Sequence, residues 1–363
     1  MNHAPRASER GMALAVAIFA LVVVGALVAG AFLAGHLEQR TGRGTLYSAQ
    51  AADAAEAGAA ETLASWDAAT LNPLAPGATA AFPPVPLGGR TAYRPTVTRL
   101  NGQLFLIRSL GTRANAEGGT LARRTVGVVA RLVSLGSGPE AALTVGKPVD
   151  SVGSQVVISG NDSAAVRQGL DCAPGPSRTP TRTAPPSSTS AAVFGDVTFD
   201  RLKAHATVVL PDTTLSSALH PSLTSTGRGC DTGDRSNWGE PRRSEGTAVG
   251  ACRKYFPIVY ARGSRLSIAG GGRGQGILLV EGDLDIAGDF DFTGLIVVRG
   301  GIRTSATRTR IGGALMAANA WGGSRNLLAG GTTIQYSSCA LREALGGAAF
   351  AEPMGQRSWV QVY

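Results

Sequence analysis

Four cysteines, Cys172, Cys230, Cys252 and Cys339, are the residues of this chain best suited to covalent chemistry. An even set with no Cys-x-x-Cys spacing points to two disulfides in an oxidising compartment, with three possible connectivities. Zinc is the competing chemistry, but His3, His36, His205 and His220 show no ligand spacing. Asp283, Asp285, Asp289 and Asp291 form an acidic cluster in which i and i+2 would share one face of a strand. A Ca²⁺ site is conceivable there. No EF-hand-like Asp-Gly loop accompanies it, and exposed turn carboxylates are commoner, so neither metal nor cofactor is expected. The glycines of 270–274 and the Gly300-Gly301 pair lack the strand, GxxxxGK[ST] and helix context of a phosphate loop. With no distinctive catalytic motif, enzymatic activity is not expected. A β-helical carbohydrate-active enzyme, which needs carboxylates converging in a groove, stays as an alternative.

The background is apolar, basic and rich in glycine. The 363 residues carry 34 Lys+Arg against 25 Asp+Glu, a formal charge of +9, yet only 16% are charged. Just three basic residues are Lys (Lys147, Lys203 and Lys254), and the arginines are spread along the chain. Without a helix-turn-helix or ribonucleoprotein motif this is a solvated surface, and no nucleic-acid partner is expected. The 49 glycines disfavour a mostly helical body, while 44% hydrophobic residues exclude a wholly disordered chain.

What must position these residues begins with an anchor. Residues 12–35 contain no charge. As a helix they measure about 36 Å, enough to cross a hydrocarbon core of ~30 Å. A cleaved secretory signal would have a shorter apolar region and a small-x-small site; Ala29-Gly30-Ala31 sits inside the run instead. Residues 45–66 are Ala-rich helix formers in which Ala52, Ala55, Ala59 and Leu63 make an i, i+3, i+4 stripe.

The anchor resembles a type IV prepilin. Glu9-Arg10-Gly11 ends a short basic leader directly before the apolar run, and Ala52-Asp53-Ala54-Ala55-Glu56-Ala57-Gly58 is similar to the "AAEAG" signature of PilX-type minor pilins. The resemblance covers roughly the first 66 residues. It implies cleavage by a prepilin peptidase between Gly11 and Met12, methylation of the new terminus, a single-pass inner-membrane anchor with the body in the periplasm or outside the cell, and packing against other pilins through the helix. Major pilins carry Glu at the fifth mature position, where its carboxylate offsets a neighbour's amine. This chain has Val16, which argues for a minor subunit rather than a major one, with the pilus tip as its expected place.

Beyond the anchor the expected organisation is α+β. Residues 1–11 form a leader and 12–66 a transmembrane and amphipathic helix. Residues 67–145 form a linker and an antiparallel β unit, turning at Asn101-Gly102, the strongest short hairpin signal. Residues 146–335 form a mainly β body with long loops near 170–190 and 224–256, followed by a C-terminal segment, 336–363. Segments beginning at Pro257, Gly276, Gly294 and Gly313 recur every 18 or 19 residues, and Leu266, Leu284 and Ile302 are 18 apart. Such a period predicts a β-solenoid rather than a sandwich. Ser154–Gly160 and Ala192–Phe199 read as earlier strands of that body. The function expected is pilus or pseudopilus assembly; the alternative is a membrane-anchored scaffold or adhesin outside any filament.

Overall fold

The computed structural model describes residues 10–133, 139–162, 172, 175–183, 198–241, 250–320, 323–347, 349–355 and 359–362. A long N-terminal helix is followed by a mainly β body, an α+β chain. Helix α1 (Arg10–Ala64) is one unbroken element of 55 residues, about 82 Å long. A short α2 (Ala68–Leu71) follows. Next comes an antiparallel sheet of β1 (Thr79–Ala81), β2 (Val85–Gly88), β3 (Thr91–Arg99), β4 (Leu104–Ala114) and β5 (Thr120–Leu132). The β3–β4 turn is at the expected Asn101-Gly102, where the Asn101 carboxamide oxygen accepts from the amides of Gln103 and Leu104, both at 2.9 Å.

The rest of the body is two parallel sheets between which the chain alternates. One holds β6 (Ala141–Val145), β8 (Val157–Ser159), β9 (Thr179–Thr183), β10 (Val208–Leu210), β12 (Ile258–Ala261), β14 (Gly272–Val280), β16 (Phe290–Val298), β18 (Thr309–Ala317) and β20 (Thr332–Tyr336). The other holds β7 (Val149–Val152), β11 (Thr213–Leu215), β13 (Arg265–Ile268), β15 (Asp283–Ile286), β17 (Ile302–Thr304) and β19 (Asn326–Ala329). Leu266 pairs with Leu284, and Leu284 with Ile302, so the 18-residue period is the strand register. These side chains are buried, as are Ile268 and Ile286, because a period of two points every second residue inward. Strands β14, β16 and β18 end in the apolar runs ILLV, LIVV and ALMA. Such runs suit strands covered on both faces. Helix α4 (Ser338–Gly347), which follows α3 (Phe199–Ala204) in the chain, packs across these three strands.

Gly276, Gly294 and Gly313 are aligned across β14, β16 and β18. Their φ values are +104°, +135° and +138°. A Cβ on Gly294 would lie 2.1 Å from the Gly276 carbonyl oxygen, and one on Gly313 2.0 Å from that of Gly294. The recurring glycine is therefore required by rung-to-rung approach as well as by backbone conformation.

Several placements add to or differ from the sequence reading. Ser154–Gly160 contains β8, but this strand lies beyond the last repeat, paired with β20, and not before the first. Residues 141–152 close the same end, with β6 on β18 and β7 on β19. The antiparallel unit therefore ends before residue 141, short of the expected 145. Phe199 is in α3, not a strand, because Thr198 caps the helix, its hydroxyl accepting from the Arg201 amide at 3.2 Å. The preceding residues 192–197 lie outside the described residues. The linker 67–90 contains α2, β1 and β2. Finally, the C-terminal segment returns to the first sheet, where β21 (Ala351–Pro353) and β22 (Trp359–Val362) pair with β5.

Candidate functional site

Helix α1 has two unlike halves. Every residue from Leu14 to Leu46 is exposed, including Phe19, Leu21, Leu27 and Phe32. So large an apolar surface cannot stay in water, and it is long enough to cross a membrane. Gly11 and Met12 lie in the first turn of α1, and residues 1–9 are outside the described residues. Val16 is 65% exposed.

The second half is seated on β3, β4 and β5. Ala51, Ala55 and Ala59 are fully buried, Ala52 and Leu63 half-buried. Small residues are needed because the backbones nearly touch. A Cβ on Gly111 of β4 would fall 2.0 Å from the Ala51 carbonyl oxygen and 2.5 Å from the Ala55 amide nitrogen. A Cβ on Gly58 would meet the Ser109 hydroxyl and the Tyr93 ring at 2.4 Å. Burial, then the nearby Glu61 carboxylate, pushes the Tyr93 phenol above its ordinary pKa. At the upper end the Arg113 guanidinium donates to the Gln50 side chain at 2.7 Å and lies over the Tyr47 ring.

At the other end of this helix the sheet and the parallel body are joined. Trp66 stands edge-on to Phe105, with centroids 5.1 Å apart, and packs against both cores. Its indole N–H donates to Asn72 at 2.9 Å. The Asn72 amide group donates onward to the carbonyls of Gly346 (2.8 Å) and Ala349 (3.0 Å). Arg99 donates to the carbonyls of Asn72 and Leu74, both at 2.7 Å, and to those of Asn101 and Gly102. His205 stacks on Phe350 at 3.5 Å, and Arg201 pairs with Glu352. Burial pulls the His205 pKa down, against the raising effect of Glu352, with Arg201 adding to the lowering. The joints that tie the sheet to the parallel body escaped the sequence reading because their partners are far apart in the chain, 151 residues for Arg201 and Glu352 and 274 for Asn72 and Gly346. Thr198-Phe-Asp-Arg, a cap followed by an acid in the first turn, was a usable signal for α3.

The cysteines form two bridges, Cys172–Cys339 with Cα atoms 6.0 Å apart and Cys230–Cys252 with 4.9 Å. Asn237, fully buried, holds the second loop by donating to the Asp231 carbonyl at 2.7 Å. Beside the first bridge, Asp162 accepts from the amides of Gly175 (2.6 Å) and Ser338 (3.2 Å). The four aspartates do not converge. One Asp283 oxygen accepts from Gly301 and Ser324, and Asp289 accepts from Arg308, one rung on. Among the described residues no three His, Cys, Asp or Glu side chains could hold a metal together. A cleft of about 580 Å³ is lined by Arg262, Ser264, Glu281, Asp283 and Ser324. Glu281 accepts from the Tyr260 hydroxyl at 3.0 Å and pairs with Arg299. Burial, then Glu281, pushes the Tyr260 phenol up to about 12.

No family model and no curated protein matches the chain. Among solved structures, the competence-associated pilin ComZ from Thermus thermophilus is similar at 12% identity, over 87% of this chain and 97% of that one, with a TM-score of 0.23. A likeness that weak carries no weight for fold or function.

Proposed function

We propose that the chain is a minor pilin-like subunit of the PilX type, acting in assembly of a type IV pilus or pseudopilus. The observation that carries this reading is the division of α1: a wholly exposed half, uncharged through Gly35, continuous with a half locked onto an antiparallel sheet. The free half requires lipid before assembly and neighbouring helices after it. Prepilin peptidase cuts between Gly11 and Met12, and the new amine is methylated. The parallel stack, read as a solenoid, is the part displayed outside the inner membrane. Val16 offers no carboxylate to a neighbour's amine in a low-dielectric bundle, where an unpaired charge is costly. A subunit of this kind fits few copies at the filament end. No cofactor and no catalytic step enter the reading.

N-terminal mass spectrometry tests it. The mature chain should begin at Met12, and Gly11→Val should leave an uncleaved, membrane-retained form. A start beyond residue 29 refutes the reading in favour of a secretory signal. Immunogold labelling of sheared filaments should mark ends; retention in the membrane with no filament label would favour a stationary scaffold or adhesin.

A further inference from the structure

The end of the antiparallel sheet that faces the apolar span gathers positive charge. Thr91 pairs with Arg113, the Ala114 amide donates to the Arg90 carbonyl at 3.0 Å, and Arg113 reaches Gln50. The β2–β3 and β4–β5 turns therefore lie at the level of Gln50 on α1. Arg90 and Arg123 are exposed there, with Arg124 beside them, and Arg40 and Arg43 are exposed on α1 between this level and the span. The carboxylates of the same zone are Glu38, Asp53 and Glu117, fewer than its arginines. Leu87 and Leu121, 47% and 44% exposed, sit in the same two hairpins as Arg90 and Arg123.

We infer that this end of the sheet docks on anionic phospholipid headgroups of the membrane that holds α1. The inference rests on residues 12–35 crossing a membrane, not on filament assembly. Guanidinium forks match phosphate oxygens, and the two leucines supply apolar contact at the headgroup boundary. From Gly35 to Gln50 the axis rises about 22 Å, of which the headgroup layer fills about 5–8 Å. The 115–119 turn continues β4 past Gln50 toward the span, narrowing what is left. That gap is comparable with the ~8–10 Å over which exposed charges act in salt. A helix tilt of ~20°, ordinary for membrane spans, lowers one flank of the sheet further.

The test is hydrogen exchange on the full chain in nanodiscs of phosphatidylcholine alone and of phosphatidylcholine with phosphatidylglycerol. In the anionic discs, amides of 87–91 and 115–123 should exchange roughly tenfold more slowly. The effect should vanish in high salt and in the Arg90→Gln/Arg123→Gln variant. Unchanged protection of β14, β16 and β18 checks that this variant is folded. Equal exchange in the two discs, or protection that survives the double substitution, overturns the docking alone. Failure of the chain to co-elute with either disc overturns the anchor and the docking with it.

Discussion

Gly111→Val should prise α1 from its sheet. The new Cβ would start 2.0 Å from the Ala51 carbonyl oxygen and 2.5 Å from the Ala55 nitrogen, both helix backbone that cannot rotate away. Restoring contact at ~3.5 Å needs a lift of about 1–1.5 Å. Overpacking of this kind costs about 1–3 kcal/mol, and the lift loosens the fully buried Ala55, Ala59, Val97 and Ile107 as well. We expect a total of about 2–4 kcal/mol, hence a Tm lower by roughly 4–10 °C in a chain of this size. Thermal unfolding of the detergent-solubilised protein, followed by circular dichroism, measures it. Gly102→Ala is the control, because a Cβ there meets nothing within 4 Å and no positive φ is involved. If Gly111→Val melted within 1 °C of that control, the close approach would not be what fixes the helix.

Two further outcomes follow from bridges and burial. The Cys172–Cys339 link closes 167 residues of chain and Cys230–Cys252 closes 22; loop entropy makes these worth about 5 and about 3 kcal/mol. Denaturant unfolding should therefore show a larger loss for the Cys172→Ser/Cys339→Ser variant, and the reverse order would contradict the loop-length account. His205 is held below its ordinary pKa when folded, so the unfolded chain binds its proton more readily. Its contribution is complete above the unfolded value near 6.5 and falls as pH drops from there toward the folded pKa. His205→Gln should flatten the stability profile over that interval, and an unchanged slope would remove His205 as its source.

The repeats were legible in the sequence because two constraints fall on the same period: Gly276, Gly294 and Gly313 for backbone approach, and Leu266, Leu284 and Ile302 for burial. The helix stripe was legible because Ala55 and Ala59 must both be small where strands press on them. The closing rung was hidden. Strand β7 has three of its four residues exposed and so shows no alternation. Its anchorage depends on the buried pair Asn319 and Asn326, whose side chains bond each other and reach the backbone of Lys147. Nothing local marks such a partnership. The return of β21 and β22 to β5 was hidden for the same reason: two short strands gain their meaning from a sheet more than 200 residues earlier in the chain.

The placement of 141–159 has a consequence for biogenesis. Leu143 rests on Leu315, and Ile158 on Ile334. A chain synthesised from its N-terminus thus delivers one end of the stack well before the strands that cover it. Those early strands, of which only β6 has an early neighbour in β9, must wait with an open edge while the intervening rungs arrive from the opposite end. Contacts this distant in sequence slow folding and lengthen the time in which open edges are vulnerable. The last rungs act as a keystone, and a chain truncated before residue 309 would leave β6 paired with β9 alone and β7 and β8 without the strands they join.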